Sequence, residues 1–105
     1  MDSQIKRGLL DVCVLRAIKD KESYGYQIIK DIKPYIEISE STLYPILRRL
    51  EAQNMLTVKL EEHNGRLRKY YHITKLGLER IEQFKEEWKD IRIIYSYISE
   101  EETNE

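Results

Sequence analysis

"STLYPILRRLE", residues 41–51, decides how this chain is read. Leu43, Ile46, Leu47 and Leu50 recur at spacings of three and four, which marks one buried face of a helix. Pro45 sits among them, although proline lacks an N–H and strains a helix interior. The opposite face holds Ser41, Tyr44, Pro45 and Arg48, with Thr42 at its edge. The pattern predicts a helix over 40–53 that is anchored on one side and presents polar and aromatic groups on the other. Ser39 can cap it, Glu40 suits its first turn, and Asn54 can end it in the left-handed region.

Upstream, "YGYQIIKDIKP" predicts a helix over about 24–34, with Ile28, Ile29 and Ile32 in the core, Ser23 as cap and Pro34 as terminator. Gly25 inside it is unfavourable unless something packs close by. Residues 4–20 predict a first helix with two apolar stripes, one of Ile5, Leu9 and Val12, the other of Leu10, Val14, Ala17 and Ile18. Cys13 lies in that run and is expected as a buried structural thiol.

Downstream, "NG" at 64–65 signals a hairpin. A two-residue turn sets His63 opposite Arg66 and, further back, Glu61 opposite Arg68 and Leu56 opposite Ile73. Leu56, Val58, Leu60, Tyr71 and Ile73 then share the core side, with an opposite-charge pair, Glu61 and Arg68, on the other face. Thr74 can cap a last helix over 75–98, where Ile81, Phe84, Trp88, Ile91, Tyr95 and Ile98 step by 3, 4, 3, 4 and 3. A heptad seam of that length calls for a partner helix.

The chain is 105 residues long, 41% hydrophobic and 35% charged, which fits one small soluble domain. No run of about 18 apolar residues offers a membrane span, and "MDSQIKRGLL" lacks the layout of a secretory signal, so a cytoplasmic location without membrane association is expected. Net charge is −1, but Glu100, Glu101, Glu102 and Glu105 crowd the tail, while "HNGRLRKYYH" (63–72) holds Arg66, Arg68 and Lys69 and no acid. His63 and His72 have no third ligand beside them, so neither a metal nor a cofactor is expected. No phosphate-cradling glycine loop and no nucleophile–base pair is present, and an enzyme is not expected.

The expected fold is therefore mainly α with a small β-hairpin. It is a winged helix-turn-helix over 1–74, followed by a C-terminal dimerisation helix over 75–98 and an acidic disordered tail over 99–105. In such a motif the second helix enters the major groove of double-stranded DNA. Candidate DNA contacts are Ser39, Ser41, Thr42, Tyr44, Pro45 and Arg48 on that helix, Arg66, Arg68, Lys69 and Tyr70 on the wing, and Tyr24 and Tyr26 at the start of the preceding helix. The expected dimer interface comprises Ile5, Leu9 and Val12 with Ile81, Phe84, Trp88, Ile91, Tyr95 and Ile98. A winged helix that binds only protein is the alternative that near-neutral charge suggests.

"STLYPILRRLEAQNML" together with "GRLRKYYHIT" and "YGYQIIKDI" resembles the PadR family of bacterial transcriptional regulators over roughly residues 8–80. The short last helix is similar to that of the smaller PadR subgroup, which dimerises through this helix and one near the N-terminus. The resemblance implies a repressor, released by a ligand, that acts on a nearby gene through a pseudo-palindromic operator. Some members of the subgroup hold flat, hydrophobic drug-like cations or phenolic compounds against a tryptophan in a segment similar to "FKEEWKDI". On that likeness Trp88 would carry a planar aromatic or hydrophobic effector, flanked by Phe84 and Ile91. A repressor without a ligand is the alternative.

Overall fold

The computed structural model describes residues 1–100, so the expected acidic tail lies, from residue 101 onward, outside the described residues. Six elements follow in order: α1 (Ser3–Ala17), α2 (Gly25–Ile32), α3 (Glu40–Ala52), β1 (Leu56–His63), β2 (Arg66–Ile73) and α4 (Lys75–Ile98). Three helices surround a core of Leu10, Val14, Leu15, Ile28, Leu43, Leu47 and Leu50, closed by Leu56 and Tyr71 from the hairpin and Ile81 from α4. The fold is the expected winged helix-turn-helix with a long terminal helix.

The local start and stop signals account for most boundaries, with some revisions. Asp2, for which the sequence reading named no role, caps α1 by accepting from the Gln4 and Ile5 amides at 2.8 and 3.2 Å. The helix ends at Ala17, before the predicted residue 20. Ser23 does not cap α2. Its backbone instead pairs with β2, donating to the Tyr71 carbonyl at 3.2 Å and accepting from the Tyr71 amide at 2.8 Å. This short bridge docks the α1–α2 loop against the hairpin. Tyr24 takes the cap position of α2 without a side-chain bond.

Gly25 faces the ring of Tyr44 on α3. A Cβ there would collide with the tyrosine hydroxyl and lie 3.1 Å from Cζ, so the glycine in α2 is the close-packing site its sequence position called for. Ser39 precedes α3 but makes no capping bond to the backbone. Its hydroxyl pairs with those of Ser41 and Thr42, at 3.0 and 3.2 Å.

The hairpin turns at Asn64 and Gly65, both at positive φ (52° and 78°), and its register runs from His63–Arg66 back to Leu56–Ile73 as the turn dictates. The wing is less buried than the alternation implied. Leu60, expected on the core side, is 61% exposed, because the helical layer beneath the hairpin ends near Val58. Glu61 and Arg68 are opposite in register yet form no ion pair, since Arg68 lies over the Tyr24 ring. His63 and His72 sit at opposite ends of the hairpin, across from Arg66 and Thr57, and do not meet.

Thr74 caps α4 by accepting from the Gly77 amide at 3.1 Å and donating to the Asn54 carbonyl at 2.7 Å. Its amide also donates to the Met55 carbonyl. Helix α4 faces α1 as far as Trp88 and then extends beyond it, and the molecule with this helix measures 57 × 26 × 22 Å. No helix among the described residues is long and apolar enough to cross a membrane.

Candidate nucleic-acid interface

Helix α3 divides its two faces as its sequence dictates. Leu43, Ile46, Leu47 and Leu50 are buried, while Ser41, Thr42, Tyr44, Pro45 and Arg48 are exposed. Pro45 lies in the second turn, so the only intrahelical bond it forfeits is the one to the Ser41 carbonyl, and the helix continues through it. The two adjacent arginines part company. Arg48 points outward, whereas Arg49 forms a partly buried ion pair with Asp11 that ties α3 to α1. Sequence periodicity had no way to find Asp11, which lies 38 residues away.

The start of α2, the middle of α3 and strand β2 meet at one open cleft of about 530 Å³, lined by Tyr24, Gly25, Tyr26, Tyr44, Arg68, Lys69 and Tyr71. Arg68 places its guanidinium carbon 4.0 Å from the centre of the Tyr24 ring, and Tyr70 meets that ring edge-on at 5.6 Å. A cation held on an aromatic face keeps its charge while losing rotamer freedom. Tyr26 and Lys69 are exposed beside this stack. Arg66 stands apart, at the tip of the wing next to the turn.

The hydroxyl cluster of Ser39, Ser41 and Thr42 lies at the far end of α3. Ser39, Thr42 and Pro45 border a second groove, of about 680 Å³, to which α1 contributes Lys6 and Arg7. Those two basic residues carry no sequence signal of their own and became visible only when α1 was packed against α3. Burial pushes the Tyr71 hydroxyl up from its ordinary value, the nearby Tyr44 and Glu51 add to the shift, and Arg48 opposes it. Burial likewise pushes the Cys13 thiol up, which leaves little thiolate at neutral pH. Cys13 is half-buried rather than fully buried.

On α4, Phe84 and Trp88 lie 5.7 Å apart with planes tilted by 44°. They border a shallow cleft of about 210 Å³ against Ile5, Gly8 and Leu9 of α1. Ile91 lies beyond that cleft and is 41% exposed. Val12 and Ile81, expected at a dimer interface, are already buried in the chain's own core. The exposed apolar surface is instead concentrated further along α4, at Ile91, Ile93, Ile94, Tyr95, Tyr97 and Ile98.

A three-helix body with an outward second helix, flanked by a basic hairpin, defines a winged helix-turn-helix protein. The model of the transcriptional regulator PadR-like family matches residues 14–83, and the chain belongs to that family: it is a DNA-binding transcriptional regulator and not an enzyme. It is similar to the PadR-like transcriptional regulator of Bacillus cereus, with 33% identity and a TM-score of 0.80, covering 95% of this chain and 100% of that one. It is 29% identical over 75 residues to the transcriptional regulator Rv3488 of Mycobacterium tuberculosis, 70% of either chain. Bacillus subtilis PadR, solved in complex with operator DNA, shares the fold at a TM-score of 0.68 and 21% identity, over 72% of this chain and 46% of that one.

Proposed function

We propose that this chain represses transcription as a homodimer on a pseudo-palindromic operator. Helix α3 enters the major groove, and the wing grips the flanking backbone. The observation that carries this reading is the cleft where Tyr24, Tyr26, Tyr44, Arg68 and Lys69 converge beside the outward face of α3. Hydroxyls and guanidinium groups on one continuous surface suit phosphate and base-edge contacts. The exposed hydroxyls of Ser39, Ser41 and Thr42 extend that surface toward the first turn of α3, where the helix dipole favours phosphate. The related fold of Bacillus subtilis PadR was solved in complex with operator DNA, which supports DNA as the partner. A two-fold dimer places half-sites about one helical turn apart.

Fluorescence anisotropy on DNA upstream of the chain's own gene tests this. Tyr44→Ala and Arg48→Ala should each cost about 1–3 kcal/mol of operator affinity at fixed salt, with an unchanged circular dichroism spectrum. Neutralising Arg66 or Lys69 should instead shallow the slope of log K against log salt by up to about one unit. Unchanged affinity in both helix variants removes α3 from the reading.

Release of the operator by a planar, hydrophobic ligand at Phe84, Trp88 and Ile91 is the regulatory part of the proposal. The tilted Phe84–Trp88 pair beside a cleft against α1 supports it. At about 210 Å³ the cleft of one chain is smaller than the ~300–1,000 Å³ usual for drug-sized ligands, so a second protomer has to complete it. Quenching of Trp88 fluorescence by planar aromatics, together with loss of operator binding, is the expected result.

A further inference from the structure

Away from the DNA-facing cleft, three side chains with metal-ligating atoms converge where the hairpin meets the α1–α2 loop. Glu22 comes from that loop, Glu61 from β1 and His72 from β2, and one ligand atom of each lies within 4.8 Å of the other two. The Ser23–Tyr71 backbone bridge brings Glu22 beside His72. Glu61 reaches the same point because its cross-strand neighbour, Arg68, is occupied on the Tyr24 ring. The histidine pair considered from sequence had no third ligand. The fold replaces His63 with two glutamates that are remote from each other in the chain.

Glu22 Oε2 and His72 Nε2 lie 2.8 Å apart as an ion-pair contact, and both atoms are shut off from solvent with no other polar partner. Two donors bound to one ion at about 2.1 Å stand about 3.0–3.4 Å apart at tetrahedral or octahedral angles. At 2.8 Å the two atoms are in direct contact, and opening by a few tenths of an ångström brings them to the separation of two ligands sharing an ion. Charge points the same way. Two converging carboxylates repel, a protonated imidazole offsets one of them, and a divalent cation offsets both. One imidazole with two carboxylates suits a first-row transition ion, whereas magnesium and calcium take oxygen ligands.

We propose that Glu22, Glu61 and His72 bind a divalent transition-metal ion of the zinc type, with a further coordination position open to water. Bound there, the ion joins the loop that leads into α2 to both strands of the wing. It thereby fixes the angle of the hairpin on the helices.

Zn²⁺ is the probe, and the measurement uses the full-length, untagged, chelator-stripped chain without DNA, so it stands or falls independently of the operator reading. Titration calorimetry should find one Zn²⁺ per chain, and Zn²⁺ but not Mg²⁺ should raise the melting temperature. Glu22→Gln and His72→Gln should each weaken binding by more than about tenfold, the lower bound for loss of an outer-shell partner. Glu61→Gln, which leaves the Glu22–His72 pair in place, should weaken it by a similar factor, and His63→Gln should leave it unchanged. Absence of Zn²⁺ uptake by the wild-type chain overturns the proposal. So does uptake that survives all three ligand substitutions, or uptake that is lost in His63→Gln.

Discussion

Gly25 and Tyr44 are one feature seen from two helices. The ring of Tyr44 reaches the proposed DNA face only by passing where a Cβ of residue 25 would stand. Gly25 is the first residue of α2, so Gly25→Ala gains less helix propensity than the ~1 kcal/mol of a helix interior. The methyl group must push the far end of the tyrosine aside, which a χ rotation can accommodate. The expected outcome is a melting temperature within a few degrees of wild type and an operator affinity reduced as in Tyr44→Ala. Anisotropy and thermal unfolding on the same preparation read both, and an unchanged affinity would mean that the position of Tyr44 is irrelevant to binding. Arg49 gives the contrast. It adjoins Arg48 in sequence, but its partner is Asp11, so Arg49→Ala should act on stability rather than on DNA.

Gly77 shows the same economy at the level of elements, with a harder neighbour. A Cβ there would collide with the Met55 carbonyl and lie 2.7 Å from Cγ1 of Ile73, so backbone, not a pliable side chain, stands in the way. The first turn of α4 is thus seated directly on the end of the hairpin, and Thr74 binds both partners. Gly77→Ala should destabilise the chain by about 1–3 kcal/mol, the usual cost of overpacking, measured as a lower urea midpoint with an unchanged slope. A midpoint at the wild-type value would show that the α4 start is free to shift.

Elements of this kind were legible in the sequence where their signals are local. Asn64–Gly65 sets the register, Thr74 the start of α4, and the three- and four-residue spacing in α3 its two faces. What sequence could not supply depends on which elements meet. Ser23 looked like a cap because its pairing partner, Tyr71, is 48 residues away. Leu60 looked like core because alternation continues past the point where the helices stop. Glu22 carried no signal, and Glu61 read only as a partner for Arg68, until the fold brought both to His72.

At the scale of the whole molecule, α4 is the unfinished part. It spans 24 residues, about 36 Å, but it faces α1 only as far as Trp88. The heptad seam read from sequence covers Ile91, Tyr95 and Ile98, and these are exposed. Ile93 and Tyr97 are also exposed, and they lie about 200–240° round the helix from Ile91, on the side opposite the seam. This helix end is thus apolar on two sides, with Arg92 and Ser96 between them, and apolar residues on two sides call for cover on both. A single coiled-coil contact would leave Ile93 and Tyr97 in water. In the homodimer proposed above, a partner that wraps the end of α4 would cover both sides, and the exposed Ile5 on α1 offers a surface of matching character. Tyr95→Asp and Ile98→Asp place a charge in that contact without touching the core of the winged domain. Each should convert the dimer to monomer at micromolar concentration in sedimentation velocity, with the circular dichroism spectrum largely kept. Affinity for a full operator should fall by about 10²-fold or more, because the second half-site no longer binds at high effective concentration. Affinity for an isolated half-site should stay within about twofold of wild type, since nothing in α3 or the wing has changed. A monomeric variant that binds the full operator as tightly as wild type would separate DNA recognition from dimerisation and overturn the two-fold arrangement.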